Sequence, residues 1–231
     1  MKSTGNDIIA LRSVDKQRTS LFRFYSKILS VSEQSLYHQP QWENMPFENY
    51  VWLLWSVKES VYKYLKRSIP DLVFSPTKIC IQNIKIPPVT LMNEFRCVQW
   101  ENTGYEEEFY RGKIIYGLHV FYFRSKITEN WIATVVNDDE NFDNVCWGIQ
   151  SIDEAGYYHQ SKAAQTLLLN KLNTFFSFDL QVKKSPVGYP VILNGLQEMQ
   201  IPVSLSHDDC FVAYSFLLNS DNYPLGALPL N

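Results

Sequence analysis

Apolar and polar positions divide the chain into two runs of the same kind, each a helical segment followed by strands. NDIIALRSV, residues 6–14, is a short and strongly apolar block that predicts a first strand. KQRTSLFRFYSKILS, residues 16–30, has helical spacing through Leu21, Phe24 or Tyr25, and Ile28. Ser30 to Glu33 form a capping-box pattern and predict the start of another short helix. HQPQWENMP, residues 38–46, is a loop punctuated by Pro40 and Pro46. A long helix is predicted from about Phe47 to Lys66, closed off by Pro70 and Pro76.

The middle of the chain is strand-like. KICIQNIKI (78–86) alternates, and GKIIYGLHVFYFRS (112–125) and NWIATVVN (130–137) are two more β-rich runs. NDDENFDN, residues 137–144, is an acidic polar break and the best boundary, dividing a half spanning 1–137 from one spanning 145–231. Beyond it, SKAAQTLLLNKLNTFF (161–176) predicts an amphipathic helix with Ala164, Leu168, Leu172 and Phe175 on one stripe. SPVGYPVIL (185–193) is a turn feeding a strand. IPVSLSH (201–207) and CFVAYSFLL (210–218) are two strands joined tightly at His207-Asp208-Asp209. The tail from 219 is rich in turn residues. NWIATVV and CFVAYSF end the two halves and are candidates for equivalent strands of a duplicated unit.

Composition narrows the class. With 231 residues, 45% hydrophobic and 19% charged, the chain can build a substantial core. No apolar run approaches the ~20 residues of a membrane span, and no signal-peptide core of ordinary length opens the chain, so a cytoplasmic location is the expectation. Cys80, Cys97, Cys146 and Cys210 are scattered, which indicates buried reduced thiols rather than a zinc site or disulfide framework. A net charge of −3 argues against a broad nucleic-acid footprint.

WSVKESVYKYL, residues 55–65, places unusual charge on the long helix. Leu54, Val57, Val61 and Leu65 make an ordinary core stripe. Trp55, Glu59, Lys63 and Lys66 make another, joining one carboxylate to two ammonium groups beside an aromatic. Alone, this reads most simply as a solvated i,i+4 pair contributing ~0.3–0.5 kcal/mol. Asp7 changes the weight. A carboxylate on a buried strand is costly unless it is paired, ligates a cation, or accepts backbone N–H bonds in a turn. With Glu59 across from it, the pair would form a hard-oxygen site suited to Mg²⁺. Ser206 and His207 close a strand at a tight turn, where a histidine either binds phosphate, pairs with Asp208, or lies on the surface.

The order of these elements carries more than any one of them. Gly5-Asn6-Asp7, then Trp55-Ser56-Val57-Lys58-Glu59-Ser60 with Lys63, then Gly188-Tyr189-Pro190, then Ser204-Leu205-Ser206-His207 resembles the 4′-phosphopantetheinyl transferase superfamily. RFYSKILSVSEQSLY, residues 23–37, is similar to a stretch of the short holo-acyl-carrier-protein synthases.

The resemblance implies an α+β fold, a single-chain pseudo-dimer in which each half packs a helix on a small, mostly antiparallel sheet. It implies transfer of the phosphopantetheine arm of coenzyme A to a serine of an apo acyl or peptidyl carrier protein, releasing adenosine 3′,5′-bisphosphate. It implies Mg²⁺ held by Asp7 and Glu59, Glu59 as base, and Lys63 stabilising the leaving oxygen. Ser206 and His207 would bind a phosphate of the nucleotide end, with Lys58, Lys66 and Arg67 as further phosphate contacts. A monomer is the simplest assembly, with neither nucleic acid nor membrane as partner. Arg12, Lys16, Arg18, Arg23 and Lys27 form the expected docking patch for an acidic carrier, Arg23 foremost.

Four departures bear on coenzyme A affinity. Ile9 stands where a second acid is usual in the longer members, and Tyr189 where G-K-P has lysine. LKRSIP (65–70) replaces the glycines that often follow the K-E helix, and Asn6 replaces an apolar residue. The rival expectation is a catalytically impaired relative that binds coenzyme A or a carrier protein.

Overall fold

The structure, a computed structural model, describes residues 2–88, the backbone of 99–101, and residues 108–218. Cys97 and the tail from 219 lie outside the described residues. The first half opens with β1 (Gly5–Ala10) and reaches the long helix through three short ones: α1 (Lys16–Thr19), α2 (Phe22–Tyr25) and α3 (Val31–Tyr37). The long helix, α4 (Phe47–Lys66), follows, then β2 (Cys80–Lys85), β3 (Gln99–Glu101), β4 (Tyr110–Tyr116), β5 (His119–Ile127) and β6 (Trp131–Asn137). The second half comprises β7 (Val145–Ser151), α5 (Tyr157–Leu172), β8 (Leu180–Lys184), β9 (Pro190–Asn194), β10 (Gln197–Met199), β11 (Val203–Asp208) and β12 (Phe211–Leu217).

The first sheet has the order β1-β6-β5-β4-β2, the second β11-β12-β7-β3, and a small third β10-β9-β8. Every pairing is antiparallel. In the first sheet, the half's opening strand β1 lies beside its last, β6, and that beside the penultimate, β5. The second repeats this order as β7-β12-β11. β6 and β12, the NWIATVV and CFVAYSF strands, therefore hold corresponding places.

Three apolar clusters stack the layers. One packs α4 on the first sheet through Val57, Val61, Ile114, Phe121 and Phe123. Another packs α5 on the second through Leu168, Leu172, Val212 and Phe216. The third lies between the sheets, where Ile8, Ala133 and Val135 meet Trp147, Ile149 and Ala213. The result is helix, sheet, sheet, helix, with α+β composition and antiparallel sheets.

Several local outcomes differ from the sequence expectation. Residues 16–30 form two one-turn helices rather than one longer helix. Asp15 caps α1 through the Arg18 N–H, and the Thr19 and Ser20 hydroxyls donate back to the Asp15 and Lys16 carbonyls. Leu21 is then extended (φ −77°, ψ 129°), which breaks the ladder. The run 112–125 is two strands, because Gly117 at φ 59° supplies the left-handed turn between Tyr116 and His119. Helix α5 starts four residues before the predicted stretch, under a Gly156 cap, since exposed Tyr157 and Tyr158 break the apolar pattern. Cys80, Cys146 and Cys210 are half-buried rather than buried. The Ser30–Glu33 capping box is present as read.

The approach of β1 to α4 sets the site. Gly5, Asp7 and Ile9 share the strand face toward α4 by the two-residue period. A Cβ on Gly5 would stand 2.0 Å from the Ser60 carbonyl oxygen, so only glycine fits. Ser56 and Ser60, small and fully buried, form the facing stripe of the helix. We predict that Gly5→Ala destabilises the protein by about 1–3 kcal/mol through overpacking. Its urea midpoint should fall accordingly; an unchanged midpoint would mean the helix can retreat without cost.

Candidate active site at the joint between the halves

Asp7 reaches the site from β1, and Glu59 and Lys63 from successive turns of α4. The Lys63 ammonium donates to Asp7 Oδ1 at 2.9 Å and lies 3.4 Å from Glu59 Oε1. The Asp7 side chain is 6% exposed, whereas Glu59 and Lys63 keep 29% and 24%. The pair on α4 is thus not a solvated surface pair: it closes over a buried carboxylate. Asp7 Oδ2 is buried and has no hydrogen-bond partner. Ser56 Oγ faces Asp7 from one turn earlier and favours its charged form, but falls short of hydrogen-bond geometry.

Burial drives the Asp7 carboxyl up to about 7; Lys63 pulls against that rise and Glu59 adds to it. Lys63 is itself held above its ordinary value, because the two carboxylates outweigh the cost of its burial. The two shifts are compatible, since Asp7 is ionised throughout the range in which Lys63 would lose its proton.

The second half meets this point through β11, which runs alongside β1. The Asn6 N–H donates to Ser204 Oγ at 3.1 Å, and its side-chain amide to Ser206 Oγ at 2.9 Å. Thr4 Oγ1 bonds Ser215 Oγ at 3.1 Å. Asp208 Oδ2 accepts from the Ala10 N–H at 2.7 Å, and Arg12 pairs with Asp209. His207 projects near enough to Lys63 for that ammonium to depress its basicity. Burial is the larger cause, Lys184 adds to it, and Asp208 opposes. The imidazole meets the Tyr157 ring edge-on at 5.4 Å. It lines a cavity of about 210 Å³ with Lys183, Lys184, Gly188 and Pro190.

The structure brings Asp7, Glu59, Lys63 and His207 toward one joint but gives other predicted site residues different surroundings. Lys58, a candidate phosphate contact, is wholly buried. Its ammonium donates to Glu33 Oε2 at 2.6 Å and to the Ile28 carbonyl at 2.7 Å. Helical geometry explains this, since consecutive residues lie on different faces. Ser206 is buried and bonded to Asn6. Arg67 donates to the Pro190 and Val203 carbonyls at 2.8 and 2.9 Å and stacks over Tyr189 at 4.7 Å. Lys66 donates to the Leu72 carbonyl at 3.1 Å. In the docking patch, Arg12 is engaged by Asp209, while Lys16, Arg18, Arg23 and Lys27 are exposed.

Sequence reasoning did not single out Lys184, Tyr157 or Glu33. Lys183-Lys184 immediately precede the G-x-P turn, a basic signal that was there to use. Glu33 was visible only as a capping-box residue. It also accepts from Lys58 and from the Ile81 N–H at 3.0 Å.

Residues 3–116 match the family model of the 4′-phosphopantetheinyl transferase superfamily. That match bears out the resemblance over the stretch that carries β1 and α4; the Gly188–Pro190 and Ser204–His207 elements lie beyond it. No curated protein and no solved structure matches the chain.

Among the described residues, no group of three or more histidine, cysteine, aspartate or glutamate side chains is placed to hold a metal ion. The Asp7–Glu59 pair offers two hard carboxylates and one buried, unpartnered oxygen, a donor set that fits Mg²⁺ completed by water and substrate.

Lys58→Ala leaves Glu33 buried without its cation and should cost about 3–5 kcal/mol in urea unfolding. For Asp7 the sign is set by its raised folded value: the unfolded chain releases the proton near pH 4, the folded protein near 7. In metal-free buffer its contribution to stability therefore declines as pH rises through that window. Relative to Asp7→Asn, the wild type should lose stability between about pH 4 and 7; parallel pH profiles would refute the buried, proton-holding carboxyl.

Proposed function

We propose that this protein transfers the 4′-phosphopantetheine group of coenzyme A to a serine of an apo acyl or peptidyl carrier protein. The observation that carries this reading is the joining of Asp7, Glu59 and Lys63 on the β1–α4 face, with His207 arriving from the other half.

Asp7 and Glu59 would hold Mg²⁺, which when bound neutralises the pyrophosphate and polarises the reacting phosphorus. Glu59, the more exposed of the two carboxylates, takes the proton of the carrier serine. The serine oxygen forms a bond to the β-phosphorus, the bond from that phosphorus to the bridging oxygen breaks, and adenosine 3′,5′-bisphosphate leaves. Lys63 is the donor placed to stabilise the leaving oxygen. His207 with Lys184 offers phosphate contacts for the nucleotide end, beside the cavity under the Gly188–Pro190 turn. Lys58 acts as an internal strut and Arg67 as a tie between the halves. The matched strand order of the two halves supports a single-chain pseudo-dimer, with a monomer as the simplest assembly. Arg23 and its exposed basic neighbours remain the proposed carrier-docking face.

A second reading has its own observation. Arg67 and Lys66, the expected replacements for missing phosphate contacts, are taken up by carbonyls. A relative that binds coenzyme A or a carrier without transferring the arm would tolerate that.

Intact-mass spectrometry of apo carrier proteins incubated with the protein, coenzyme A and Mg²⁺ separates the two readings. Transfer adds one phosphopantetheine, and EDTA abolishes the gain. Glu59→Gln should lower the rate by about 10²–10⁴-fold with a nearly unchanged urea midpoint. No gain on carriers from fatty-acid, polyketide and peptide assembly, alongside measurable coenzyme A binding, would favour the binding-only relative.

A further inference from the structure

The stripe of α4 that faces β1 carries two serines whose hydroxyls behave differently. Ser60 takes the ordinary course for a serine inside a helix: its hydroxyl donates back to the Ser56 carbonyl at 2.8 Å, one turn earlier. Ser56 is just as buried, at 0% exposed, yet its hydroxyl oxygen has no hydrogen-bond partner. A buried hydroxyl left unpaired costs free energy that an alanine would not.

The register of β1 on α4 shows which group could receive the missing bond. Gly5 sits against the Ser60 carbonyl. Asp7 lies two residues further along β1, roughly 6.6 Å, and Ser56 one turn back along α4, roughly 5.4 Å. The two steps match, so the Asp7 carboxylate lies opposite the Ser56 side chain, which favours its charged form. Lys63 occupies Asp7 Oδ1, and the buried Oδ2 accepts from nothing. An unpaired donor and an unpaired acceptor thus face each other on neighbouring elements, just short of a bond.

We propose that Ser56 is a positioning residue of the metal site: its hydroxyl closes onto the Asp7 carboxylate when a divalent cation is held there, and fixes the plane of that carboxylate. This rests on the reading of Asp7 and Glu59 as the Mg²⁺ ligands. Mg²⁺ tolerates little departure from octahedral geometry, and a ligating carboxylate is itself oriented by hydrogen bonds from behind. Each carboxylate oxygen has two acceptor sites, so one oxygen can take the hydroxyl hydrogen and still face a cation. Lys63 is a poor sole support, because in the proposed reaction it is also the donor to the leaving oxygen. The Ser56 hydroxyl therefore costs stability without the cation and contributes binding with it.

Mn²⁺, a hard-oxygen probe of the same site, is titrated into metal-free protein, and the free ion is read by electron paramagnetic resonance. Ser56→Ala should bind Mn²⁺ about tenfold or more weakly than wild type, while its urea midpoint in EDTA equals or exceeds the wild-type value. Ser60→Ala alters the same stripe but not the hydroxyl facing Asp7, and should keep wild-type affinity. Glu59→Gln should lose binding. Wild-type affinity in Ser56→Ala, alongside loss in Glu59→Gln, would overturn the role of Ser56 and leave the metal site standing. Equal weakening in both serine variants, or a lowered Ser56→Ala midpoint, would reduce Ser56 to packing and overturn the proposal. No binding by wild type at millimolar Mn²⁺, or unchanged binding in Glu59→Gln, would overturn the metal reading and the role of Ser56 with it.

Discussion

Strand β1 can lie against α4 only because nothing projects from Gly5 and only small hydroxyl side chains project from Ser56 and Ser60. This contact brings the Asp7 carboxyl, which would otherwise be stranded on a buried strand, within reach of Lys63. The electrostatics follow from it. Asp7 is almost wholly buried, so its proton is held to unusually high pH, and Lys63 becomes its hydrogen-bonded cation. A strand set further back would leave an ordinary i,i+4 pair on α4 and a buried acid with no partner.

The rotation of α4 about its axis is fixed independently. Glu33 accepts from the Ser30 N–H, the Lys58 ammonium and the Ile81 N–H, while its carbonyl accepts from the Tyr50 hydroxyl. Four groups, from the cap of α3, from α4 and from β2, thus converge on one buried residue. Replacing a buried ion pair with apolar groups is often neutral or favourable, so net stability alone is a weak account of its presence. Direction is the better one. Lys58 and Glu59 are neighbours on the helix; anchoring the first in the core turns the second toward β1. The two lysines of the K-E-x-x-x-K element therefore divide the work, one holding the helix and the other serving its exposed carboxylate.

Much of this was legible in the sequence, for physical reasons that differ by element. The bounds of α4 were readable because its apolar stripe repeats without a break and prolines bracket it. The Asp7–Glu59–Lys63 grouping was readable from the cost of a buried acid and the spacing of a helix face. The break at Leu21 was not, because the hydroxyl back-bonding of Thr19 and Ser20 leaves no trace in apolar periodicity. The fate of Arg67 was not either. Its partners are main-chain carbonyls of Pro190 and Val203, and no residue type announces a carbonyl.

The joint between the halves explains two of the departures from the superfamily pattern. Asn6 points from β1 in the direction opposite to Asp7. An apolar side chain there could pack, but it could not bond Ser206, while the Asn6 backbone and amide together tie β1 to β11 at two points. Tyr189 works similarly on the far side, giving Arg67 a flat surface instead of a second positive charge. Both changes exchange a generic contact for a tie specific to the opposite half. A site assembled from two halves needs those halves held in register, because the charge of Lys63 is felt at His207 only while β11 keeps its place along β1.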